Sequence, residues 1–124
     1  MSYSKIAVKA TLVAVSQMMS PVEAWELELK LAQKADKGCP KGTFLGLCQN
    51  GFVKGIPVGS YTNSKKNAKY GLVGRELLLS QPDLYLNDTK KLWSDILGVL
   101  HLPPKAPNQQ AEVLIELWKN RLLL

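Results

Sequence analysis

Cys39-Pro40-Lys41-Gly42-Thr43-Phe44-Leu45-Gly46-Leu47-Cys48-Gln49-Asn50-Gly51-Phe52 admits two readings, and the choice between them sets the fold class. As a helix, Pro40 supplies a pre-set first turn and Phe44, Leu47 and Cys48 share a face. Gly51 then takes the left-handed position past the end, so that Phe52 packs back on Leu47. As a hairpin, Asn50-Gly51 is the turn between apolar runs. Only the helix accounts for both Pro40 and the Gly51-Phe52 pair. We therefore read a short helix here, with a small β-hairpin at 43–58 as the alternative. Gly55-Ile56-Pro57-Val58-Gly59 reads as a loop.

Outward from that segment the pattern stays helical. Residues 5–19 place Lys5, Lys9 and Ser16 on one stripe and Ile6, Val8, Ala10, Leu12, Val13, Val15, Met18 and Met19 elsewhere, which predicts a largely buried helix. Ser20-Pro21-Val22-Glu23 reads as a capping box opening a helix over 21–35, with Val22, Trp25, Leu29 and Ala32 inside, Glu26 paired with Lys30 outside, and Gly38 as its stop. A helix from Asn63 or Ser64 to Leu79 carries Ala68, Leu72, Arg75 and Leu79 along one seam. Gly71 and Gly74, each costing roughly 1 kcal/mol of propensity, mark the close approach of another helix. Pro82 ends that region. Asn87 or Asp88 caps a helix bearing Leu92, Trp93, Ile96, Leu97 and Leu100, and the proline-rich 102–107 is an extended connector. Asn108 caps a last helix with Ala111, Leu114, Ile115, Trp118 and Leu122 inside. The expectation is an all-α, single-domain bundle of about six helices over 1–124.

Composition agrees. The 21 Leu and 9 Ala outnumber the 9 Val, 4 Ile and 4 Thr. A chain of 124 residues can bury one core without a metal or disulfides and is too short for two domains. The apolar run of 10–15, interrupted upstream by Lys9, is too short for a signal peptide. No stretch reaches the roughly 18 apolar residues that span a bilayer, so we expect no membrane role and a soluble cytoplasmic protein. Cys39 and Cys48 with the single His101 fall short of a structural zinc site, so neither metal nor cofactor is expected.

Cys39-Pro40-Lys41, Phe44-Leu45-Gly46-Leu47-Cys48, Gly51, Gly55-Ile56, Gly59, Tyr61-Thr62, Ser64, Asn67 and Tyr70 form a pattern that resembles a family of small uncharacterised bacterial proteins, a domain of unknown function. The likeness extends to Ala24-Trp25 and to Asn108, Gln110 and Leu117-Trp118. It implies a bacterial origin and an intracellular location, and it carries over no activity and no catalytic residue.

Charge is what points to a function. The net charge is +6, and residues 34–75 hold eight Lys and Arg (Lys34, Lys37, Lys41, Lys54, Lys65, Lys66, Lys69, Arg75) against Asp36 alone. Such an asymmetry sets the field an approaching anion meets. Within it, Ser60-Tyr61-Thr62-Asn63-Ser64-Lys65-Lys66-Asn67 opens a helix, where unpaired N–H groups and the helix dipole favour phosphate. The candidate anion-binding residues are Ser60, Thr62, Ser64, Lys65, Lys66, Lys69, Lys41 and Lys37. The same residues also read as an ordinary N-cap with solvated lysines. The loop lacks the Gly-Lys-Ser/Thr ending of a P-loop. The expected partner is a nucleic acid or other polyanion, bound without enzymatic chemistry. A helix-turn-helix within 21–50 is a weak option, because base-reading side chains are scarce on its second helix. Tyr61 and Tyr70 read as base-stacking rings or as core tyrosines with wet hydroxyls.

Two other readings stand beside it. A protein-binding or self-associating module would form a homo-oligomer through the C-terminal helix and Leu122, Leu123 and Leu124 at an exposed end. A cysteine-dependent enzyme comes third, with Cys39, before a helix start and between Lys37 and Lys41, as the reactive thiol. His101 reads as a helix-end residue, and pairing it with Cys48 offers no orienting group.

Overall fold

The computed structural model describes all 124 residues and is all helical. Its elements are α1 (Tyr3–Gln17), α2 (Pro21–Ala32), α3 (Gly38–Gln49), α4 (Lys65–Ser80), α5 (Pro82–Tyr85), α6 (Thr89–Val99) and α7 (Gln110–Lys119). No hairpin forms at 43–58. Gly51, at φ +81°, and Phe52 turn their N–H groups back onto the carbonyls of Cys48 and Leu47, closing a helix where a hairpin would have turned. The one extended pairing is an isolated bridge between Val53 and Leu123.

Helix α3 is the centre of the fold. Pro40 and every residue from Gly42 to Cys48 are buried, as expected for a helix apolar on all sides. Its neighbour α4 lies close because both carry glycine at the crossing. A Cβ on Gly46 would sit 2.5 Å from the Cα and Cβ of Ala68. Gly71 faces Thr43 and Leu47, and Gly74 faces Leu114 of α7 and Ile96 of α6, so both meet other helices closely. The core runs through all seven helices. Trp25 is fully buried between Tyr3 and Phe44, with ring centroids at 6.4 and 5.7 Å.

Several boundaries depart from expectation. Gln33 in the left-handed region, and not Gly38, ends α2, while Gly38 opens α3. Pro82 begins the one-turn α5, which raises the count to seven. Tyr85 anchors that turn by donating to Asp95 at 2.7 Å, and burial plus the Asp95 carboxylate push its phenol up to about 12. Ser20 caps α2 through Val22 N–H, but Glu23 does not complete the box, and Glu26 makes no ion pair with Lys30. Helix α1 buries one face only, through Ile6, Ala7, Ala10 and Ala14. Leu12, Val15 and Met18 remain exposed, Met18 at 94%. Finally, Leu122 and Leu123 are buried. The Leu122 carbonyl accepts from Lys54 N–H and the Leu124 N–H donates to the Phe52 carbonyl, so Leu122 and Leu123 cover the molecule's own core and only Leu124 stays exposed.

Candidate functional site

The site follows from helix direction. Gly42 faces Asn67 and Gly46 faces Ala68, so α3 and α4 run the same way. Gln110 Nε2 donates to Asn67 Oδ1 at 3.5 Å while Leu114 meets Gly74, so α7 runs with them. All three N-termini therefore lie at one end of the bundle. These three are also the long helices whose N-caps (Lys37, Ser64 and Gln109) make no side-chain capping bond. By contrast, Ser2, Ser20 and Asp88 cap α1, α2 and α6. The dipoles' positive ends and uncapped N–H groups thus accumulate on one surface.

Lysines crowd the same end. Lys34 and Lys37 lie 4.5 and 5.7 Å over the Tyr3 ring. Lys65 and Lys66 open α4, with Lys69 one turn on, all exposed. Asp36 accepts from Lys41 Nζ at 3.0 Å and from Trp25 Nε1 at 3.2 Å. Partial burial raises its pKa, but those two hydrogen bonds, the Lys41 charge and the Lys37 N–H outweigh it and hold the carboxyl below its ordinary range.

Because that pKa is lowered on folding, the Asp36 contribution is present above the unfolded value and fades as pH falls through the folded one. Wild-type urea midpoints should drop below about pH 4, while those of Asp36→Asn change less over the same window. The side chain is half exposed, so at neutral pH the substitution should cost under about 1 kcal/mol. Parallel pH profiles for the two proteins would count against this assignment.

Not every candidate joins the surface. Thr62 Oγ1 accepts from Ser64 N–H, and Ser64 Oγ accepts from Asn67 Nδ2. The Gln49 side-chain oxygen accepts from both Tyr61 and Thr62 N–H groups. These partners engage Thr62 and Ser64 within the chain, and Ser60 stands exposed on the preceding loop. Lys54 and Arg75 belong to the opposite end, where Arg75 lies 3.7 Å over Phe52 and bonds Leu124 O. The basic segment 34–75 is therefore not one continuous surface.

Lys105 was missed. It enters from the proline-rich connector, held by Trp93 Nε1 donating to its carbonyl at 2.7 Å, and its Nζ donates to Tyr70 Oη at 3.3 Å. Tyr70 itself is core, edge-on to Trp93 at 5.0 Å, and cannot stack on a base. A recognition-helix role for α3 is excluded by its burial.

Cys39 is the second residue of α3, half-buried and free. Cys48 is sealed in the core, where burial pushes its thiol up, while His101 stands on the surface at the end of α6. No hydrogen bond joins them. No three His, Cys, Asp or Glu side chains gather in a metal-like group, and no helix is long and apolar enough to cross a membrane.

Fold and site together define a small all-helical protein with a lysine-rich end built from parallel helix starts. The chain belongs to a family of unknown function (DUF6979), whose model matches residues 1–124. Comparison with curated proteins and with solved structures gives no match.

Proposed function

We propose that this end of the bundle binds a polyanion, with nucleic acid as the partner, and that the protein acts by binding and not by catalysis. The observation that carries the reading is the meeting of three helix starts without side-chain caps (α3, α4, α7) and the lysines Lys34, Lys37, Lys41, Lys65, Lys66, Lys69 and Lys105, with Asp36 already tied to Lys41. Phosphates would satisfy the N–H groups, and lysines release counterions from a strand. Two free thiols fit the reducing bacterial cytoplasm as its setting.

In a filter-binding titration, affinity for DNA or RNA should fall by about three orders of magnitude between about 50 and 200 mM salt if most of these lysines engage. Lys66→Glu should weaken binding and lower the salt slope by about one or more. Lys54→Glu, an equal charge change at the other end, should leave both unchanged. Binding indifferent to salt, or equally impaired by either substitution, sinks the proposal.

A second reading, a protein-docking module, draws on α1. Leu12, Val15 and Met18 are exposed beside a groove of about 410 Å³ lined by Met19, Ile56 and Tyr61 among others. It would replace the C-terminal leucines as the contact surface.

A further inference from the structure

Helix α1 carries a second apolar stripe apart from its core face. Val8, Leu12 and Val15, with Met19 just past the helix end, follow one another at steps of four, three and four, the repeat by which one helix packs along another. None of the four is fully buried, and Leu12 and Val15 stand 54% and 47% exposed, whereas the core takes Ile6, Ala7, Ala10 and Ala14 from the other side of the helix. The groove beside Met18 and Met19 prolongs the stripe past Val15. Charge on the same helix is lopsided. It contains no acidic residue, and Lys5 and Lys9 flank the stripe, exposed and without an ion pair. At the other end no basic residue lies in the last turn, and the carbonyls of Val15, Ser16 and Gln17 accept no main-chain hydrogen bond. The positive end of the dipole thus has only cations near it and the negative end has none. A second α1 laid antiparallel supplies what each end lacks.

We propose that α1 is the contact between two copies of this chain, paired antiparallel about a two-fold axis, an inference that rests on the docking reading of α1. A two-fold interface uses the same patch twice, as a stripe of this kind allows. In the register that sets Leu12 against Val15 of the second copy, Val8 meets Met19 of that copy and Lys9 comes level with Met18, its amine beside the free carbonyls of the facing helix end. Parallel pairing would instead set Lys9 against Lys9. Helix α1 starts at the basic end, where Lys34 and Lys37 lie over Tyr3. Antiparallel pairing therefore points the two basic ends in opposite directions, as a protein that bridges two strands requires.

Sedimentation velocity of the full chain from about 1 to 100 µM should show a monomer–dimer equilibrium, as expected for a small contact. Leu12→Glu, at an exposed position, should raise the dissociation constant about tenfold or more and leave the circular-dichroism spectrum unchanged. Val99→Glu, on α6 and 52% exposed, should leave the equilibrium as it was. Lys9→Gln decides the direction of pairing. Antiparallel helices lose two favourable contacts and the dimer weakens about threefold or more, whereas parallel helices lose a repulsion and the dimer tightens. A monomer at every concentration overturns the pairing and leaves α1 as a surface for another protein. A dimer indifferent to Leu12→Glu makes its contact elsewhere and overturns the docking reading of α1 as well. A Lys9→Gln dimer as tight as wild type, or tighter, overturns the antiparallel arrangement.

Discussion

Trp25→Ala is expected to destabilise the protein by about 3–5 kcal/mol, the range for removing a large aromatic from a closed core. Small domains hold only about 5–15 kcal/mol in total, so a large unfolded fraction is expected under mild denaturation. The site cannot collapse easily. Tyr3 of α1 and Phe44 of α3 both lie nearly parallel to the indole, with centroids at 6.4 and 5.7 Å, so its loss opens a cavity among three helices at once. The indole N–H also holds Asp36, which in turn holds Lys41. Trp25→Phe separates the two effects. It keeps a ring between Tyr3 and Phe44, loses the Asp36 bond, and should cost less, about 1–2 kcal/mol. Urea unfolding followed by circular dichroism reads both. An alanine variant within about 1 kcal/mol of wild type would mean that this aromatic stack does not hold α1, α2 and α3 together.

Gly46→Ala is expected to cost about 2–3 kcal/mol, although alanine is the better helix former by roughly 1 kcal/mol. The added carbon would stand 2.5 Å from Ala68 Cα, a backbone atom that has no rotamer to escape into. The two helices would have to part. Gly98→Ala supplies the opposite sign. Nothing lies within 4 Å of a Cβ at that position in α6, so propensity alone acts and the variant should gain about 0.5–1 kcal/mol. Midpoints at constant denaturant slope read the difference. Should Gly46→Ala prove as stable as wild type, the close α3–α4 crossing is not what the sequence requires. Since that crossing also sets how near the two helix starts lie, a folded Gly46→Ala protein should bind nucleic acid more weakly.

The parts of the fold that were legible are those encoded within a few residues. The helix over 38–49 could be read because Pro40 starts it and Gly51-Phe52 closes it, both local events. Gly71 and Gly74 announced a close neighbour because glycine inside a helix is costly without one. Local reading failed wherever competing local signals were equally good. Gly38 suits a stop or a start, and Gln33 ended α2 first. The apolar residues of α1 outnumber the partners the fold offers, so Leu12, Val15 and Met18 stay outside although the pattern around them looks buried.

For the site, the sequence by itself determined the supply of charge: eight basic residues against one acid between 34 and 75, and a polar run opening a helix at Ser64. Only the tertiary structure decided where that charge goes. Parallel α3 and α4 require the connection at 50–64 to travel back along α3, about 18 Å for its 12 residues. Nothing in a local pattern specifies that return. Packing between Gly46 and Ala68, and between Gly74 and Leu114, makes the helix starts converge, sends Lys54 and Arg75 to the far end, and brings Lys105 onto Tyr70. Periodicity and capping act over three or four residues, whereas helix direction is set by contacts between residues far apart in the chain.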